Sequence, residues 1–279
     1  MRYILISLAE TAGVILLAGL GVALGRWFSR LRSRAWLVGY VVPLLLVGIM
    51  ATHRQGLWST PIPPFSWLLA DRVKFAAFAP LCAMLLTTLI GRSERRGQRF
   101  VLVLLLLVSI GCFSVLPFLM PAFEYAQLSR LETFVDSNGV CLQGNGFTCG
   151  PAAAVTVLRK MGVPAEEGEL AIRAHSNRFA GTSMDSLCAA IHSAYHVPCR
   201  TVCCRTVSEL RGKAPFIAVI EYGFLVDHYV AVLSVTDSEV AVGNPLWGLR
   251  KCSHEDFQKE WRNWAILIDK DPTRNTRVR

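Results

Sequence analysis

The residues of this 279-residue chain best suited to chemistry are Gln143, Cys149, His228 and Asn244. Cys149 stands in Gln143-Gly144-Asn145-Gly146-Phe147-Thr148-Cys149-Gly150-Pro151, where a loop should turn into a helix. Pro151 suits the first turn, where a missing N–H costs nothing, and Ala152, Val155 and Leu158 continue at helical spacing. A helix N-terminus stabilises an anion, so Cys149 is expected to have a lowered pKa and a reactive thiolate. Gln143 is placed to offer a side-chain N–H to a developing oxyanion. A histidine such as His228 can take the thiol proton and return it to a leaving amine, and an amide such as Asn244 can hold the imidazole in the useful tautomer.

The elements that must position these groups are legible around them. Asp227-His228 opens an apolar run that reads as a strand over His228–Val235, and Glu239–Val242 reads as the next, ending in Asn244-Pro245. Thr236, Asp237 and Ser238 between them are turn formers, so two antiparallel strands bring His228 and Asn244 side by side. The periodicity predicts helices over Cys149–Met161, Glu166–Ala174 and Met184–Tyr195. Further strands are expected at Cys199–Cys203, Phe216–Tyr222 and Trp264–Asp269. Helices first and an antiparallel sheet after is an α+β arrangement.

Gln, then Cys at a helix start, then His, then Asn before Pro resembles the papain-like bacteriocin-processing peptidases, which cleave double-glycine leader peptides. The resemblance covers roughly residues 138–268. It includes Cys149-Gly150-Pro151-Ala152-Ala153, Gly181-Thr182-Ser183 before a helix, His228 sixteen residues ahead of Asn244, and the closing Phe257 and Trp261. Two positions depart from the family pattern: the residue before the cysteine, usually acidic or Asn, is Thr148, and the orienting residue, usually Asp, is Asn244. The resemblance implies a papain-like cysteine peptidase domain with Cys149, His228, Asn244 and Gln143 as catalytic residues. It implies substrate contacts at Gly181, Thr182 and Ser183, cleavage after small residues such as Gly, a peptide or protein substrate, and no cofactor. The alternative from another class is a catalytically silent papain-like binding module in a membrane export or assembly complex. The intact set of four residues favours the enzyme.

The first 125 residues are of a different kind. Apolar runs at about 3–25, 35–50, 70–91 and 100–121 predict four transmembrane helices. Arg26, Arg30, Arg32 and Arg34 follow the first run, and Arg92, Arg95, Arg96 and Arg99 precede the fourth. The formal net charge of +9 is therefore mostly topological, and these arginines flank spans rather than forming a nucleic-acid patch. Both loops are expected on the cytoplasmic side of a bacterial inner membrane, with the catalytic half outside; Arg72 and Lys74 weaken the asymmetry. Glu10 is a carboxylate within a span, and Gly21 and Gly25 form a small-xxx-small pair that suits either internal packing or a homo-oligomer. Residues 126–137 read as a connector, 138–269 as the peptidase domain and 270–279 as a disordered tail. The chain has no Gly-x-x-x-x-Gly-Lys-Ser/Thr loop, so any ATP-driven motor is expected in a partner chain.

With Cys149 set aside, Cys141, Cys188, Cys199, Cys203, Cys204 and Cys252 make an even set, which predicts three disulfides of unassigned pairing in an oxidising compartment. A rival arrangement is a metal site from His192, His196, Cys199, Cys203 and Cys204, but the spacing matches no specific pattern, and no metal is expected.

Overall fold

The computed structural model describes residues 2–54, 72–223 and 226–269. Residues 55–71, which include Pro61, Pro63 and Pro64, and the expected tail at 270–279 lie outside the described residues. The chain divides into two compact units, Met1–Phe123 and Glu124–Arg279.

The first unit is built from α1 (Arg2–Ser29), α2 (Val38–Arg54), α3 (Val73–Arg92), α4 (Arg96–Ile110) and the start of α5 (Leu116–Leu128). A π-helical turn, Gly111–Val115, joins α4 to α5, so helical backbone runs unbroken from Arg96 to Leu128. Three of these helices are long and apolar enough to cross a membrane, and Arg34–Met50 is a shorter apolar one. Gly21 lies against Pro80 and Gly25 against Met84, so position numbers rise together and α1 and α3 run parallel. Gly39, at the start of α2, lies against Phe28 and Thr88 at the far ends of those two helices, so α2 sets off from that end in the opposite sense, packed chiefly along α3. A Cβ on Gly21 would stand 2.4 Å from the Pro80 carbonyl oxygen. The small-residue pair therefore serves packing inside this unit. Glu10 accepts a hydrogen bond from Arg72 at 2.8 Å, and the Arg72 guanidinium lies 4.5 Å from the centre of the Phe118 ring.

The second unit is an antiparallel six-stranded sheet with helices on both faces. Its strands are β3 (Cys199–Cys203), β4 (Phe216–Gly223), β5 (Val226–Val235), β6 (Glu239–Asn244), β7 (Gly248–Ser253) and β8 (Trp261–Ile268). They lie in the order β3-β8-β4-β5-β6-β7, and a two-stranded ladder of β1 (Phe134–Val135) and β2 (Cys141–Leu142) stands apart. Successive side chains of a strand point to opposite faces. Ile217, Val219, Tyr229 and Ala231 accordingly pack with α6 (Cys149–Lys160), α7 (Glu167–Arg173) and α8 (Met184–Tyr195). Phe216, Ala218, Ile220, Val230 and Val232 pack on the other side with Val207, Leu210 and Phe257 of α9 (His254–Glu260). Sequence periodicity missed β1, β2 and α9, which are short, and β7, an edge strand with little apolar alternation. The expected connector is also different: α5 continues through Leu128, and β1 begins within a few residues.

The disulfide expectation is corrected. Cys188 and Cys199 are joined, tying α8 to β3. Cys141, Cys203, Cys204 and Cys252 are free thiols. The sheet order supplies the reason. Cys203 ends β3 and Cys252 lies on β7, the two edges of the sheet, with four strands between them. At about 4.8 Å per strand they are separated by about 24 Å, whereas a disulfide needs Cα atoms within about 7 Å. Cys141 is fully buried on β2, with its thiol pushed up to about 12, chiefly by burial. No group of residues suited to holding a metal ion occurs among the described residues.

Of the nine cysteines, two are therefore oxidised. Maleimide-polymer labelling of the denatured chain should add seven adducts before reduction and nine after, matching the free thiols and the one bridge. Three adducts before reduction would restore the three-disulfide framework.

Candidate active site

Cys149 is the first residue of α6, directly after Thr148. The helix is buried from Gly150 to Leu158, because small Ala152, Ala153 and Ala154 allow close approach and Val155, Val157 and Leu158 fill the remaining space. It packs against β5. The pairing of β5 with β6 begins at Ala231↔Gly243, so the first residues of β5 have a strand on the β4 side only. The backbone N–H of Tyr229, next to His228, acts on the Cys149 sulfur.

Burial pushes the Cys149 thiol up, while the N–H groups of Tyr229, Gly150 and Cys149 itself pull it down. The balance is upward. This corrects the expectation from the helix N-terminus alone: the N–H donors are in place, but desolvation of the sulfur outweighs them.

His228 and Asn244 meet as the alternation of two antiparallel strands requires. His228 shares a face with Val230 and Val232, and Asn244 with Val240 and Val242, the face that packs with Phe257. His228 Nε2 lies 3.0 Å from Asn244 Oδ1, and both residues are buried. The Leu246 N–H also donates to Asn244 Oδ1, at 2.9 Å. A backbone N–H can only donate, so the amide atom facing it must be oxygen, and His228 Nε2 must then carry its proton toward that oxygen. Nδ1 is left as the basic nitrogen. Burial lowers the His228 pKa, and the bond to Asn244 raises it in part. The site thus holds an uncharged imidazole of defined tautomer and an uncharged thiol. The rings of Tyr222 and Trp247 continue outward from His228, with centroids 5.6 Å from Tyr222 to His228 and 6.0 Å from Tyr222 to Trp247.

Gln143 is tied to the same corner, because its N–H donates to the Pro245 carbonyl at 2.9 Å. Its side-chain Nε2 donates to the Asn145 carbonyl at 2.8 Å, which uses one of its two N–H bonds. Gln143 Oε1 and Asn244 Nδ2 are buried without a hydrogen-bond partner among the described residues. Thr182 packs against Gly150, 3.2 Å from where a Cβ would stand, and its carbonyl accepts from the Tyr229 hydroxyl at 3.0 Å. Gly181 has the positive φ of 65° that such a turn requires, and Ser183 caps α8 by accepting from the Ser186 N–H. Sequence reasoning missed Glu167, which is buried and accepts from the Gly144 N–H. The signal was present: Glu167 shares a helical face with the apolar Leu170 and Ala171, which turns it inward.

A cysteine at the start of a buried helix, beside strands carrying a histidine held by an amide, defines a papain-like cysteine peptidase. Residues 137–273 match the Peptidase C39 family, and the chain belongs to that family. It is 33% identical over 141 residues to an uncharacterized protein of Methanothermobacter marburgensis, across 50% of this chain and 95% of that one. A second relative, from Methanothermobacter thermautotrophicus, is 29% identical over 145 residues, covering 50% and 98%. Among solved structures, it is similar to the peptidase domain of Streptococcus ComA, a bi-functional ABC transporter of a quorum sensing pathway, at 22% identity and a TM-score of 0.42, covering 50% of this chain and 100% of that one. It is also similar to a double glycine motif protease from an AMS/PCAT transporter in complex with the leader peptide, at 19% identity and a TM-score of 0.41, covering 51% and 96%.

The Asn244 bond makes a directional prediction. In Asn244→Asp a carboxylate would accept the Nε2 proton and stabilise the imidazolium, so His228 should titrate at higher pH than in the native chain. NMR of the ring proton reads this directly. An unchanged titration would mean that Asn244 does not govern this imidazole.

Proposed function

We propose that this chain is a membrane-anchored cysteine peptidase that hydrolyses peptide bonds after small residues such as Gly by a Cys-His-Asn mechanism. Cys149 attacks the scissile carbonyl as His228 Nδ1 takes its proton. Because burial raises the thiol and lowers the imidazole, transfer accompanies attack rather than preceding it as a standing ion pair. His228 then gives the proton to the leaving amine, and a water activated by the same nitrogen releases the acyl group. The second N–H of Gln143 Nε2 and the Cys149 backbone N–H hold the oxyanion. The observation that carries the reading is the doubly bonded Asn244 Oδ1, which fixes the His228 tautomer that this chemistry needs. Specificity for small residues rests on the family resemblance, and Gly181, Thr182 and Ser183 are the proposed substrate contacts.

The anchor is proposed as four spans in a bacterial inner membrane. The parallel α1 and α3 with α2 running opposite support alternate passes. At 17 residues α2 reaches about 25 Å at 1.5 Å per residue, and the preceding turn Arg34–Leu37 adds length. Arginines in the two short loops hold those loops in the cytoplasm, and an even number of passes carries the catalytic half outside. The Cys188–Cys199 bridge suits an oxidising compartment. The substrate is then an exported or membrane-bound peptide or protein, in contact with an export complex or a second copy of the chain.

Two tests separate chemistry from topology. Cys149→Ala should lower turnover of Gly-containing peptides by about 10³-fold or more, with the fold retained by circular dichroism; a variant that turns over normally sinks the mechanism. An alkaline phosphatase fused after Arg279 should be active, because it needs export to form its disulfides. Activity from a cytoplasmic reporter at that position would place the site inside and favour leader peptides as substrates.

A further inference from the structure

Glu167 is a buried carboxyl that the mechanism above does not use. Its neighbours on the chain face elsewhere: Glu166 pairs with Arg159 at 2.7 Å, and Glu169 with Arg173 at 2.9 Å and the Tyr195 hydroxyl at 3.0 Å. Glu167 has no cationic partner among the described residues. Its oxygens accept the Gly144 N–H at 3.0 and 3.3 Å, the Thr148 hydroxyl reaches the same carboxyl, and its own N–H donates to Thr133 Oγ1 at 2.8 Å. Burying a carboxylate without a cation is costly, and an apolar side chain of similar size would stabilise such a position better. The cost calls for a return other than stability.

The bonds show where the carboxyl acts. Gly144 follows Gln143, and Thr148 precedes Cys149, so one side chain grips both ends of the loop that presents these two residues. Inside the loop, Thr148 Oγ1 accepts the Asn145 N–H at 3.2 Å. Its single proton goes either to the Asn145 carbonyl, 2.9 Å away, or to Glu167. The Asn145 carbonyl also receives Gln143 Nε2, so the threonine, the glutamine and the carboxyl form one connected set. An acidic residue at position 148 would face the buried carboxyl with like charge, whereas Thr148 brings a neutral hydroxyl close enough to ease that charge.

We propose that Glu167 is a positioning residue of the active site: by clamping Gly144 and Thr148 it sets the Gln143 side chain and the Cys149 N–H where the oxyanion develops. This rests on the reading of Gln143 and Cys149 given above. The titratable groups that feel its charge are Cys149 and Cys141, both pushed up by it in addition to burial. Removing the charge therefore eases ionisation of Cys149 while loosening the donors, and the two effects are separable. Alkylation by iodoacetamide needs the thiolate but forms no oxyanion, whereas peptide hydrolysis needs both.

The test uses the full-length chain in detergent, with Glu167→Ala, Glu167→Gln and Thr148→Val, reading kcat and KM on a peptide and the alkylation rate of Cys149. Glu167→Ala should lower kcat by about 10²-fold, the scale of losing an oxyanion donor, with KM within about threefold and alkylation not slowed. Glu167→Gln keeps an acceptor for Gly144 and a polar group for Thr148, and should recover most of kcat. Thr148→Val combined with Glu167→Ala should lose less than the sum of the two single changes, because both act through one loop. Unchanged kcat in Glu167→Ala overturns the proposal. So does a Glu167→Gln variant in which hydrolysis and alkylation fall together, or the unfolding of both Glu167 variants, either of which assigns the residue to the fold alone. Failure of the underlying reading shows elsewhere, as turnover persisting in Cys149→Ala.

Discussion

The packing of α6 on β5 is the contact on which the remaining geometry of the site depends. A helix whose residues from Gly150 to Leu158 are all buried cannot rotate or slide without opening a cavity, so its first residue has one available place. That place is beside the backbone of Tyr229, beyond the start of the β5–β6 pairing. The same strand carries His228 one residue earlier, and the end of β6 carries Asn244. One helix–sheet contact thus sets the Cys149 sulfur against the backbone of β5, and the neighbouring strands set His228 against Asn244.

The close packing sets the electrostatics as well. Water excluded from the helix start raises the thiol, and water excluded from the end of β5 lowers the imidazole, so both groups favour their neutral forms. Neutral His228 keeps its Nε2–H committed to Asn244, which leaves Nδ1 as its basic nitrogen. Glu167 adds a third buried group whose charge works against the thiolate while its hydrogen bonds hold the loop. The site balances a loss in thiol ionisation against a gain in loop order.

Much of this was legible in the residues. The helix at Cys149 announced itself through Pro151 and the spacing of Ala152, Val155 and Leu158, and the hairpin through Thr236, Asp237 and Ser238. His228 and Asn244 could be paired because strand alternation is a local rule that a sequence displays. What could not be read was set by distant contacts. The disulfide partners depend on which strands lie at the sheet edges, and β3 and β7 are separated by β8 and by the consecutive β4, β5 and β6. The direction of the Cys149 shift depends on burial, which a dipole argument from sequence omits. Edge strand β7 carries Arg250, Lys251 and Ser253 and so lacks an apolar alternation, α9 has seven residues, and Glu167 stood beside two solvent-facing glutamates that masked it.

In the first unit, close contact at Gly21 and Gly25 and the Glu10–Arg72 pair show helices packed by small residues and a satisfied charge. The central claim concerns the other unit, that Cys149 becomes acylated during peptide hydrolysis. The most direct measurement is intact-mass spectrometry of the chain quenched in acid within milliseconds of mixing with a Gly-containing peptide ester, followed by mapping of the adduct. The account predicts a single acyl adduct on Cys149, lost again at longer times. An adduct on any other cysteine, or hydrolysis with no adduct at any time, would contradict it.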